Sequence, residues 1–183
     1  MKKGLKIFIG ILLILLWGYI VINLTLIGRG QSFSYNLQLF WCIKEAWTTK
    51  NAADWYFIVG NILMFIPFGM ILPSCFDAMR SWVKVSGIGF VISASIELIQ
   101  LIFHRGFFEF DDMFNNTLGA IMGYGLFVLF FGMFRKSWIG TKKERLMLDI
   151  VWLLVVTFMT VAQLMGQPVF TQIVGEIRRF FSF

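Results

Sequence analysis

Residues 93–124 read SASIELIQLIFHRGFFEFDDMFNNTLGAIMGY. Two apolar runs meet there across a short polar link, and both carry hydrophilic side chains where hydrocarbon tolerates few. On the first run Ser93, Glu97, Gln100 and His104 follow at intervals of four, three and four, which puts them on one helical face. On the second, Asp112, Asn115, Asn116, Gly119 and Gly123 share a face that is polar at its start and glycine deeper in. Arg105 stands in the link. The pattern predicts two membrane helices folded back on one another around a buried polar site.

Composition sets the class. The chain of 183 residues is 58% hydrophobic, holds 22 Phe and 7 Trp, and has only 14% charged residues; its mean hydropathy is +0.79. A soluble domain of this length could not hide that much apolar surface. The expected fold is all-α, a polytopic transmembrane helical bundle of about five spans with an outer interfacial segment. The net charge of +6 reads as basic loops lying against anionic lipid heads, not as a nucleic-acid surface.

The expected spans run roughly from Leu5 to Ile27, Trp55 to Phe76, Trp82 to Phe103, Met113 to Phe134 and Leu146 to Met165. The N-terminal run has the basic start of a signal peptide. Its apolar body is bilayer-length and no small-residue cleavage site follows, so it reads as an uncleaved first span. Lys2, Lys3 and Lys6 place the N-terminus in the cytoplasm, and the resulting links carry ten basic residues inside against six outside. Residues 1–30 then form an anchor helix, 31–134 a core, and 135–183 a fifth span with an interfacial tail. Cys42 and Cys75 fall at opposite faces, which argues against a disulfide.

This topology brings the polar groups to one depth. Asn61 lies near the outer end of the second span, Glu97 and Gln100 in the last turns of the third, and Asp112 and Asn116 at the start of the fourth. Glu97 precedes Phe103 by six residues, roughly 9 Å along a helix axis. An ionisable residue at a span centre costs about 2.5–3.5 kcal/mol, so Glu97 should face a partner or water. Arg105 is its nearest basic candidate; paired with Glu97 or Asp112 it would leave an outward cleft lined by amides, suited to a phosphate. The candidate ligand-binding set is Asn61, Glu97, Gln100, Arg105, Asp112 and Asn116, with Glu97 and Asp112 as possible acid–base groups. Pro67 and Gly69 are expected to kink the second span and allow close approach, and Gly119 and Gly123 to pack closely. No metal or cofactor is expected: His104 has no second histidine beside it, and nothing in the spacing of Glu97, Asp111 and Asp112 demands a cation. The same polar groups could instead serve only to hold helices together.

The run NILMFIPFG (61–69), the pair in IELIQ (Glu97, Gln100), HR (104–105) and DMFNNTLGAIMGY (112–124) resemble the VanZ-like membrane proteins. The resemblance covers about Phe33 to Phe134. It implies an integral protein of the bacterial cytoplasmic membrane, in some members linked to resistance against teicoplanin-type glycopeptides. With the polar site facing outward, the expected partners are membrane lipid and a lipid-linked cell-wall precursor or amphiphilic antibiotic. Alternatives left open are a membrane enzyme acting on a polyprenyl-linked precursor and a non-catalytic helix-packing accessory protein.

Overall fold

The computed structural model describes residues 3–27, 32–50 and 52–137, together with Ile150. The expected fifth span and tail lie outside the described residues. In order, the elements are α1 (Lys3–Ile22) with a π-helical last turn (Asn23–Ile27), β1 (Ser32–Asn36), α2 (Trp41–Thr49), α3 (Ala52–Cys75), a 3₁₀ turn (Asp77–Met79), α4 (Trp82–Phe103), β2 (Arg105–Glu109) and α5 (Phe110–Ser137). Four helices among the described residues are long and apolar enough to cross a membrane: Lys3–Ile27, Asp54–Cys75, Trp82–Phe103 and Phe110–Phe131.

α3 is the central rod, buried without interruption from Met64 to Cys75, as a helix apolar all round its circumference must be. α1 lies against it through Trp17, whose ring meets Phe65 at 5.2 Å and Phe68 at 4.7 Å. The Trp17 indole N–H donates to the Met64 carbonyl at 2.8 Å, so the polar tip of a buried tryptophan is satisfied. On its other side α3 packs against α5 at backbone distance. A Cβ added at Gly119 would collide with the Ile62 carbonyl, one at Gly123 with the Ile66 carbonyl, and one at Gly69 with the Ala120 carbonyl. Small residues are what let membrane helices approach this closely. Pro67 and Pro73 both lie within α3. The outward faces of α1, α4 and α5 expose large apolar side chains such as Leu15, Val91, Ile102 and Leu129, the surface that lipid tails would cover.

Two features depart from the expected bundle. The link between α4 and α5, expected to be a short polar connection, is a strand: β2 pairs in parallel with β1, Ser32 opposite Arg105 through Asn36 opposite Glu109. Backbone amides near the membrane need partners, and the ladder supplies them to two segments far apart in the chain. Gly106 enters the strand at φ 124, a conformation closed to most L side chains. The fourth span also begins earlier than expected, at Phe110 rather than Met113, which draws Asp111 and Asp112 into its first turn.

Candidate functional site

Every polar side chain of interest sits at one end of the bundle, where α3 and α5 begin and α1 and α4 finish. The positive end of the α5 dipole favours acids in its first turn, and Asp111 and Asp112 occupy it, both buried. They face different ways. Asp112 Oδ1 accepts a hydrogen bond from Asn61 Nδ2 on α3. Asp111 accepts the Phe40 N–H through Oδ1 at 2.5 Å and the Cys42 N–H through Oδ2 at 2.7 Å. Those amides are orphan donors at the start of α2, and the local N-cap residue, Phe40, provides no side-chain acceptor. Asp111 therefore caps α2 from a distant helix.

α4 delivers Ser93, Glu97 and Gln100 along one buried stripe. Glu97 is only 1% exposed, and its Oε2 accepts the Glu109 N–H at 3.0 Å. Gln100 Nε2 donates at 2.9 Å to the Thr25 carbonyl, in the π-helical turn that closes α1, where the last carbonyls lack helical partners. Asn116 on α5 donates through Nδ2 to Ser93 Oγ at 2.8 Å.

Two contacts define the seam between α4 and α5: Gly89 lies against Ala120, and Ser93 against Asn116. A step of four residues along α4 is matched by a step of four backward along α5, as in antiparallel helices. The next step in that register sets Glu97 opposite Asp112. No Lys, Arg or His is buried among the described residues.

Arg105 lies outside the helices that carry the two acids. It opens β2 and is exposed, whereas Glu97 and Asp112 are buried. A residue at the first position of a strand paired to Ser32 stands at the rim, while both acids are held within the helices. His104 is the left-handed C-cap of α4 at φ 54, its N–H bonded to the Gln100 carbonyl. Among the described residues no three His, Cys, Asp or Glu side chains are grouped to hold a metal ion.

Asn61, Glu97, Gln100, Asp112 and Asn116 thus share one end of the bundle, with Arg105 outside them. Gly69, Gly119 and Gly123 lie deeper, in the α3–α5 contact, and Pro67 is buried within α3. The sequence pattern did not single out Glu109, Thr25 or the capping role of Asp111. The doublet Asp111–Asp112 was the available signal, since two acids opening an apolar helix suit a first turn and no span interior. Cys42 was also missed: its half-buried thiol lies 3.6 Å from Glu109 Oε2. Burial first, then the charge of Glu109 and the hydrogen bond and charge of Asp111, push that thiol well above the ordinary range. Cys42 and Cys75 are both free, one in α2 and one at the far end of α3.

These features define a class: a helical membrane protein with carboxylates and amides buried together at one end of its bundle. Comparison with known proteins places it further. The VanZ/LLP1 family model matches residues 8–132, and the chain belongs to that family. A protein of Enterococcus faecium called Protein VanZ is 30% identical over 99 residues, covering 54% of this chain and 58% of the relative's own length. No solved structure matches.

Proposed function

We propose that this chain is a bacterial cell-envelope membrane protein whose polar site faces outward and engages an amphiphilic ligand, a lipid-linked wall precursor or a lipoglycopeptide antibiotic, thereby contributing to teicoplanin-type resistance. The observation that carries the reading is the joint burial of Glu97 and Asp112 with Gln100 and Asn116 at one end of the bundle. An acid inside a span is expensive and is retained where it serves. A ligand with a polar head and a hydrocarbon tail suits a site at that depth, its head among the acids and amides and its tail along the exposed apolar helices. Arg105, at the rim, is placed for a phosphate or carboxylate of the same ligand. The orientation rests on the basic residues of the N-terminus and of the links after the second and fourth spans, and the resistance phenotype on the resemblance to VanZ-like proteins.

The test is teicoplanin susceptibility in a host expressing Glu97→Gln or Arg105→Ala, with protein level in the membrane measured beside it. Loss of protection at normal protein level is the expected result. Full protection in both variants removes the reading. A second reading, helix adhesion alone, is favoured by the Asn61–Asp112 and Asn116–Ser93 bonds, each worth about 0.6 kcal/mol in a membrane. It predicts that Glu97→Gln lowers protein level and protection together.

A further inference from the structure

We infer that the group recognised between α4 and α5 is a primary ammonium, held by Glu97 and Asp112. The inference rests on the reading of this end of the bundle as a ligand site, and it names the chemistry the site selects.

The α4–α5 register carries the first part. Gly89 meets Ala120 and Ser93 meets Asn116, so Glu97 and Asp112 confront one another one turn nearer the site's mouth. Two carboxylates facing across a helix seam repel when both are ionised, and a cation between them removes that repulsion.

The second part is independent of the acids. Two buried amide oxygens, Gln100 Oε1 and Asn116 Oδ1, have no hydrogen-bond partner, although these residues are only 1% and 2% exposed. A buried acceptor without a donor is costly, and in a native protein it calls for an explanation. Asn116 follows Asp112 by one turn and bonds Ser93 across the seam, so its oxygen flanks that acid; Gln100 follows Glu97 by three residues on the same buried stripe, its amide reaching Thr25 after α1. The third orphan, Asn115 Nδ2, is a donor. It stands one turn before Gly119, on the side of α5 that packs against Ile62 of α3, away from the α4 seam. Beside the two acids, this end of α4 and α5 therefore holds two buried acceptor oxygens that lack a donor.

A primary ammonium carries one positive charge and three N–H donors on one small atom, and charge-assisted bonds to carboxylates are the strong ones. A metal ion fits less well, because the described residues hold no group of three His, Cys, Asp or Glu side chains for chelation. A phosphate would meet two carboxylates.

The experiment uses the full chain in nanodiscs and three probes with one tail: dodecylammonium, dodecyltrimethylammonium and dodecyl phosphate. Tryptophan fluorescence titration reads affinity. Dodecylammonium should bind about tenfold or more tightly than either analogue, the trimethyl form keeping the charge but lacking N–H donors. Glu97→Gln and Asp112→Asn should each erase that preference while helical circular dichroism stays intact. Equal binding of all three probes on the unaltered protein, which needs no variant to fold, would overturn the inference. So would displacement of dodecylammonium by sodium chloride and not by choline chloride, which would mark an inorganic cation site. If the preference is absent yet Glu97→Gln still abolishes protection, the ammonium falls and the ligand site stands. If the preference holds while both variants protect fully, the resistance reading falls and the ammonium site remains.

Discussion

Replacing Asp111 by Asn tests how the site end of the bundle is held. The Asp111 carboxylate takes both the Phe40 and the Cys42 amide protons, and Phe40 is itself held at φ 61. A left-handed conformation costs a residue with a Cβ roughly 1–2 kcal/mol, so the bond to Asp111 offsets local strain as well as capping α2. Asparagine keeps one acceptor oxygen and turns an NH₂ toward the other amide, leaving that donor unsatisfied. Hydrogen bonds to charged groups are worth about 1.5–3 kcal/mol, and a helix cap about 1, up to 2, kcal/mol. The docking of α2 should weaken by about 2–3 kcal/mol, which raises its open population about 30- to 150-fold. Hydrogen exchange by mass spectrometry over residues 39–50 would read this directly, with α4 as internal reference. Maleimide labelling of Cys42, located by peptide mapping, should accelerate in parallel because its raised pKa depends partly on Asp111. Unchanged exchange in α2 would refute the capping role. A uniform rise across all helices would refute it too, assigning the effect to the bundle.

Three further outcomes follow from the same geometry. Gly123→Val should lower the stability of the folded chain in detergent by about 1–3 kcal/mol through overpacking, since even a Cβ strikes the Ile66 carbonyl, whereas Gly125→Ala, with open space around it, should be neutral or better by thermal denaturation. Trp17→Phe should cost about 1 kcal/mol for the lost bond to Met64 and should loosen α1 before α3 in an exchange experiment. Maleimide labelling of Cys42 should stay slow through neutral and mildly alkaline pH. An unfolded thiol ionises near 9.0 and the folded one higher, so between those values the folded state binds the extra proton. The Cys42 contribution to stability is therefore full below about 9 and declines as pH rises above it, a trend that Cys42→Ser should abolish in a pH series of melting temperatures.

Hydropathy located the helices because each buries or exposes enough apolar length to be recognised without knowing its neighbours. α4, expected over Trp82 to Phe103, occupies those residues. α5 starts three residues before the expected Met113 because a search for apolar runs stops at acids, while a helix N-terminus attracts them. The β1–β2 ladder was not legible: SFSYN and RGFFE are short and lie some seventy residues apart, and a strand is defined by its partner as much as by its own residues. The single-face spacing of Ser93, Glu97 and Gln100 was readable as helix periodicity, whereas the face of α4 that meets α5, and its register, were not. Arg105 shows the limit most plainly. Sequence distance set it close to Glu97, and only the structure shows that the chain leaves the helix at His104 and that Arg105 opens β2 as an exposed residue.

The residues by themselves determined that this is a multi-span membrane protein of the VanZ-like kind with acids and amides near one end of its helices, because burial in lipid writes long apolar runs and makes each polar exception conspicuous. Only the packed structure decided which exceptions meet. Asp112 reaches Asn61, Asp111 turns away to cap α2, and Glu97 receives the Glu109 amide, outcomes that depend on glycine-set approaches between α3 and α5 and on a four-for-four register between α4 and α5. Those are properties of two surfaces in contact, and no single stretch of chain contains them.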